Sequence, residues 1–311
     1  MRYQIAVDVG GTQLRAARYS TNNNQPEIIR KISTHGDVPP LDRVCELIDS
    51  ILPEEGEVEA IGVAVPGPTD PYRGIIMAAP NIPGWIDLPI KHHIENCFGV
   101  PVLVGNDANL AAMGEWQYGA GIGHHFLIYL TISTGIGGGV IVDDKLLLGI
   151  TGLAGELGHT TILPDGPICG CGHRGHLEAL SSGTAIARWV KEEINKGSAT
   201  ILAKENKINA KMVALAAQNG DELSIAAFER AGTYLGLAIS NFLHLFNPTM
   251  IILGGGVSHS GEILMTPLRK KLHESVFSPH YLDHLSISHA ALGDEAGLMG
   301  ALVLARSYKL N

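Results

Sequence analysis

A strand that runs into a glycine turn and returns as a second strand occurs twice in this chain, and few folds accommodate that repeat. Residues 3–8 (YQIAVD) form the first β-type run, Gly10-Gly11 turns it, and residues 13–19 (QLRAARY) come back. Residues 126–132 (FLIYLTI), the turn Ser133-Thr134-Gly135 and the run 137–142 (GGGVIV) repeat the pattern. A later buried strand follows each hairpin. Residues 59–65 (EAIGVAV) run into Pro66-Gly67-Pro68, and 249–253 (TMIIL) run into Gly254-Gly255-Gly256. The repeat predicts two related α/β lobes with a cleft between them.

The remaining pattern fills that frame. Helices are expected over 41–52, 90–98, 108–119, 181–196, 210–218 and 222–246, with a further strand at 101–105. A last helix over 294–308 follows Gly293 and is placed to pack back on the first lobe. Residues 69–90 contain Pro71, Pro80, Pro83 and Pro89 and are expected to be irregular.

Composition narrows the function classes. The 311 residues suffice for two domains, and 45% apolar against 17% charged residues support a packed core. A net charge of −9 with no run of Lys or Arg lacks the footprint of a nucleic-acid binder. It leaves room for an anionic ligand, because backbone N–H groups and a metal ion can hold phosphates. No apolar stretch reaches the ~18 residues that span a bilayer. Met1-Arg2-Tyr3 leads straight into the strand bearing Asp8, so no secretory segment and no membrane partner are expected, and a soluble cytoplasmic protein is.

The motifs sit where strands end. In Asp8-Val9-Gly10-Gly11-Thr12 the glycines let phosphate oxygens approach backbone N–H groups, Thr12 adds a hydroxyl, and Asp8 can place Mg²⁺ or its waters. An ordinary Gly-Gly hairpin turn is the alternative. Ser133-Thr134-Gly135-Ile136-Gly137-Gly138-Gly139 is a second such junction, and a glycine turn with a bulge is its alternative. In Asn106-Asp107-Ala108-Asn109 a strand ends and a helix begins. Asp107 is a candidate general base for a substrate hydroxyl, while Asn106 caps the helix. Gly254-Gly255-Gly256 would let a nucleoside lie against backbone, or would simply turn strand into helix.

Cys45 and Cys97 read as scattered, incidental thiols. Cys169 and Cys171 are too close for an easy mutual disulfide and stand in a loop rich in His and Gly. Two thiolates and two imidazoles can close a tetrahedral zinc site, and the ligand set read here is His159, Cys169, Cys171 and His176. His173 competes for the last place. Glu156 and Glu178 flank this cluster, as sugar-hydroxyl acceptors or as solvated carboxylates.

Together these segments resemble the ROK family (repressors, open reading frames and kinases) of the actin-like sugar kinases. The carriers are DVGGT (8–12), GVAVPGP (62–68), NIPGW (81–85), NDAN (106–109), STGIGGG (133–139), GELGH (155–159), CGCGHRGHLE (169–178) and LGGG (253–256). The resemblance implies a two-lobed actin-like fold, a duplicated ribonuclease H-like unit with a cleft. Residues 1–118, joined by a C-terminal helix 294–311, would form one lobe, and 119–293, with a zinc loop at 159–178, the other. It implies ATP-dependent phosphorylation of a hexose at the 6-hydroxyl, with Asp107 as base and Mg²⁺ accompanying ATP. Gly67, Asn81, Asn106, Asp107, Glu156, His159 and Glu178 would contact the sugar. Asp8, Gly10, Gly11, Thr12, Thr134 and Gly135 would serve the phosphates, and Gly254 and Gly255 the adenosine. The zinc would be structural, with His159 bridging metal and hydroxyl. NIPGW is similar to the glucokinase branch, so glucose leads over mannose, fructose, allose, N-acetylglucosamine and N-acetylmannosamine, and a homodimer is the family habit.

Two departures stand out. The family pattern CxCGxxGC has a cysteine where this chain has His176, and Ser133 stands where the kinases have Gly. The family also contains sugar-responsive repressors with an added N-terminal DNA-binding domain. With the first strand beginning at Tyr3, a kinase is expected instead.

Overall fold

The computed structural model describes residues 1–79 and 81–308. From the N-terminus, β1 (Arg2–Val9), β2 (Gln13–Ser20) and β3 (Ile28–Ser33) lead to α1 (Pro40–Asp49) and β4 (Glu57–Val65). Then come β5 (Thr69–Asp70), β6 (Ile75–Ala78), β7 (Ile86–Leu88), α2 (Ile90–Phe98), β8 (Val102–Asn106) and α3 (Asp107–Tyr118). The second half opens with β9 (Phe126–Ile132), β10 (Ile136–Val142) and β11 (Lys145–Leu146). After a long loop follow α4 (Leu177–Ser181), α5 (Gly183–Asn195), α6 (Ala210–Gln218), α7 (Glu222–Phe246) and β12 (Met250–Gly254). The chain closes with α8 (Glu262–Ser275), β13 (Ser286–His289) and α9 (Ala296–Arg306).

The internal repeat is realised as two five-stranded sheets of one topology, β3-β2-β1-β4-β8 and β11-β10-β9-β12-β13. In each, an antiparallel hairpin carries the glycine turn and the later strands add parallel to its first strand. The central strands are buried along almost their whole length, which is why they read as unbroken apolar runs and not as alternation. A separate apolar cluster joins the two sheets. Leu110 of α3 and Leu298 and Leu302 of α9 pack with Ala6 and Ala64 from one sheet and Leu127, Tyr129 and Ile252 from the other.

Close approach of α3 and α9 sets this junction. A methyl group added at Gly114 would lie 2.6 Å from the Ala296 carbonyl oxygen, and one at Gly300 would fall onto the Leu110 carbonyl. We expect Gly300→Ala to lower stability by roughly 1–3 kcal/mol or more, since backbone cannot move aside as a side chain can. The urea midpoint measures it, and an unchanged midpoint would refute the contact. Glu115, fully buried on α3, ties the same junction. Its Oε1 accepts the Leu292 N–H at 2.8 Å, and its Oε2 accepts the N–H groups of Ala120 and Ala291 at 2.9 and 3.0 Å.

Several expectations are corrected. Residues 69–90 are only partly irregular: β5, β6 and β7 form a small antiparallel sheet, with Pro71, Pro83 and Pro89 outside the ladder positions. The helix expected over 41–52 stops at Asp49, and the one over 181–196 is split at Ser182, whose side chain caps α5. Helix α8, which the sequence reading leaves out, runs through Pro267 without a break. The last helix packs on α3, β1 and β4; residues 309–311 of the expected span lie outside the described residues. Among the described residues no helix is long and apolar enough to cross a membrane.

Candidate active site

The parallel ladder from β4 to β8 ends at Asn106, beside Val65, and α3 starts at the next residue. Asn106 caps that helix, its Oδ1 accepting the N–H groups of Ala108 and Asn109 at 3.0 and 3.1 Å. Its amide nitrogen donates to the Gly67 carbonyl and to Asp107 Oδ1, both at 3.1 Å. One side chain thus fixes the helix start, the Pro66-Gly67 turn and the carboxylate of Asp107. Solvent reaches Asp107 through the open cleft, but protein packs round its other sides. That enclosure, above all, pushes its carboxyl up to about 6, and the negative charges of Asp8 and Glu156 add to it. The Ala108 N–H and the Asn106 amide pull the other way. A carboxylate held near neutrality at a cleft floor is suited to accept a proton.

The first glycine turn faces the same cleft. The Gly10 N–H donates to the Gln13 carbonyl at 2.9 Å, and buried Thr34 pins the turn by donating to the carbonyls of Gly10 and Thr12. A methyl group on Gly11 would lie 2.8 Å from Asn81 Cβ, so the Asn81 loop rests directly on this turn. Asp8, at the end of β1, has its Oδ2 bound by Arg15 through Nε at 3.0 Å and through Nη2. Arg15 escaped the sequence reading. Its signal was the hairpin register, which sets it directly opposite Asp8.

The second turn is fastened to the cysteine loop. Glu178, on α4, accepts the Ile136 N–H through Oε2 at 3.0 Å and lies against Gly135, where a side chain would have to push that carboxylate aside. Ser133 and Thr134 open on a cavity of about 890 Å³ between α5, α6 and the end of β12, with Thr184, Lys191, Asn209 and Gly256 in its wall. Of the three glycines at the end of β12, Gly256 faces this cavity. Gly254 and Gly255 stand behind it, against Tyr129 and the Ile132 backbone. The helix residues of this wall, Lys191 among them, carry no motif and escaped the sequence reading.

The cysteine loop converges on four donor atoms. A short 3₁₀ turn, Leu157–His159, and paired bridges Thr161–His176 and Ile168–Arg174 fold residues 157–178 back on themselves. The donor atoms of His159, Cys169, Cys171 and His176 all lie within 4.8 Å of one another. His159 Nδ1 is 3.4 Å from His176 Nδ1 and 3.7 Å from Cys169 Sγ, and Cys171 Sγ is 3.3 Å from His176 Nδ1. Tetrahedral zinc at ordinary bond lengths sets its ligand atoms roughly 3.3–3.8 Å apart, so the cluster fits that ion. His173 stacks on His176 and sits outside the four. Since His159 offers Nδ1 to the cluster, its Nε2 remains for another partner. Glu156, beside His159 and Glu178, is raised above the usual carboxylate value by burial, with Glu178 adding and His159 opposing.

Comparison with known proteins agrees with this geometry. The ROK family model matches residues 4–308. A glucokinase of Thermotoga maritima is 35% identical over 306 residues, covering 96% of this chain and 95% of that protein. A ROK family glucokinase from Streptomyces griseus, solved with glucose and AMPPNP, superposes with a TM-score of 0.80 at 35% identity, covering 98% of this chain and 100% of that one. The ROK hexokinase of Thermus thermophilus gives a TM-score of 0.84 at 34% identity, covering 97% of each chain. With its two repeated sheets meeting at a cleft of the actin-like sugar-kinase kind, this chain belongs to the ROK family.

Proposed function

We propose that this chain transfers the γ-phosphoryl group of ATP to the 6-hydroxyl of a hexose, with glucose the first candidate and Asp107 the general base. The observation that carries the reading is the placement of Asp107. It is oriented by Asn106, raised towards neutrality by its enclosure, and set within reach of the charges of Asp8 and Glu156. The glucokinase relatives support glucose over its epimers and over N-acetylhexosamines.

In this reading Asn81, Asn106, Glu156, Glu178, the free nitrogen of His159 and the Gly67 turn hold the sugar, and Asp107 takes the proton of the attacking hydroxyl. The N–H groups of Gly11 and Gly135, with the hydroxyls of Thr12 and Thr134, hold the phosphates, while Gly10, its own N–H tied to the Gln13 carbonyl, shapes the turn. The nucleoside occupies the 890 Å³ cavity, beside Gly254 and Gly255 and against Gly256. Magnesium arrives with ATP and neutralises phosphate charge; Asp8 would serve its waters through Oδ1, the oxygen Arg15 leaves free. Catalysis comes chiefly from positioning and electrostatics. The lobes 1–118 with the C-terminal helix and 119–293 close on each other to keep water from competing as acceptor.

His159, Cys169, Cys171 and His176 would hold zinc as a structural ion, which fixes the loop that presents His159, Glu156 and Glu178. A cytoplasmic setting, where ATP is supplied, and a homodimer complete the reading; light scattering tests the latter. The activity is tested by coupled ADP release with Mg-ATP across hexoses and N-acetylhexosamines, with NMR of the product. Turnover strongest on glucose, with phosphate on the 6-oxygen, is expected. Silence across the panel from folded, zinc-loaded protein would overturn it.

A further inference from the structure

The cysteines that look scattered in the sequence meet in space. Cys45 on α1 and Cys97 on α2 bring their sulfurs to 2.9 Å, Cys45 half-buried and Cys97 exposed. His93 joins them, and the three donor atoms lie within 4.8 Å of one another. Asp42 adds a carboxylate 3.8 Å from His93 Nε2. The arrangement follows from helix geometry. Asp42 and Cys45 are three residues apart and His93 and Cys97 four apart, so each pair shares one face of its helix. Both helices turn Val44, Leu47, Ile48, Ile90 and Ile94 into the first lobe's core, which leaves these polar faces side by side at the surface.

We propose that Cys45, His93 and Cys97 form a second metal site that takes zinc or another thiolate-preferring divalent ion, with Asp42 steadying the His93 ring. Two thiolates and an imidazole are a donor set for such an ion, and three protein ligands leave a fourth position for water. A carboxylate beside a metal-bound histidine is the usual means of fixing that ring. Binding requires both thiols to release their protons and the sulfurs to part from 2.9 Å to roughly 3.8 Å, a shift within reach of one rotamer adjustment at exposed Cys97. The bound ion would staple α1 to α2, some distance in the fold from the cysteine loop of the second sheet.

The test counts metal on the full chain, reduced with a phosphine, loaded with Zn²⁺ and dialysed. Wild type is expected to hold one equivalent more than Cys97→Ser and His93→Gln. Cys169→Ser should lose the other equivalent independently. With Co²⁺ in place of zinc, the sulfur-to-cobalt charge-transfer band should fall in each single variant and vanish in the Cys97→Ser/Cys169→Ser pair. Zinc should also raise the melting temperature of wild type more than that of Cys97→Ser, whose exposed position makes the substitution benign to folding. Equal metal content in wild type and Cys97→Ser would overturn the site. So would a Cys45–Cys97 disulfide that persists under reductant and excludes the ion.

Discussion

Asp107→Asn should lower kcat by roughly 10²–10⁴-fold, the usual contribution of a positioned general base, while the sugar KM stays within a few-fold of wild type. The substitution suits the purpose because Asn keeps an acceptor for the Ala108 N–H and the Asn106 amide, so the cap and the Gly67 turn stay in place. Wild-type activity should rise with pH on an acid limb near 6, where the enclosed carboxyl loses its proton, and not near the ordinary aspartate value. Folding stability should respond in the opposite sense. A carboxyl raised in the folded state favours its protonated form there, so the stability of wild type declines as pH rises from the unfolded value through about 6. Asn removes that dependence, and the variant should melt no lower than wild type at neutral pH. Turnover within tenfold of wild type in the folded variant would remove Asp107 from the mechanism. A normal acid limb in a slow Asp107→Asn enzyme would assign the titration to another group, with Glu156 the next to test.

The parts of this fold that were legible share one property: their cause is local. The hairpins at Gly10-Gly11 and Ser133-Gly135 advertise themselves because two buried strands must reverse there. The Asn106 cap is visible because Asn, directly between an apolar strand and a helix, is a preferred residue to accept the helix's first N–H groups. What stayed hidden depends on partners distant in sequence. Residues 69–90 read as broken by proline, yet β6 finds two short neighbours, with Pro71 and Pro83 between the strands and Pro89 after the last of them. Lys191 and Asn209 carry no motif, and only the packing of α5 beside α6 turns them to one cavity. Cys45 and Cys97 are separated by a whole strand and a small sheet, so nothing in their spacing announces that their sulfurs touch. The cysteine loop lies between these cases. Composition points to His159, Cys169, Cys171 and His176 with His173 as competitor, and only the folded loop, which pairs Thr161 with His176, draws the first four donors together.

If the cysteine loop holds zinc as proposed, Cys169→Ser should release it and raise the sugar KM by about 10–100-fold, with a smaller fall in kcat. Cys169 is only 3% exposed, and its sulfur lies 3.3 Å from Glu178 Oε1 and 3.7 Å from His159 Nδ1. Serine's shorter, harder oxygen neither reaches the cluster centre nor ionises, so one strong ligand is lost. The consequence spreads along two routes. His159 loses the restraint on its ring, and with it the aim of the nitrogen left for the sugar. Glu178 stays tied to the Ile136 N–H, so the second glycine turn keeps its shape and phosphate binding is largely spared. A sugar-specific defect is therefore expected, with the KM for ATP almost unchanged. His176→Cys is the matching control: it supplies the thiolate that the family pattern CxCGxxGC carries, and should keep both metal and activity. Metal content by atomic emission and the two KM values decide the matter. An ion lost with the sugar KM intact would show that the loop holds its shape without it, and equal rises in both KM values would point to general unfolding of the second lobe.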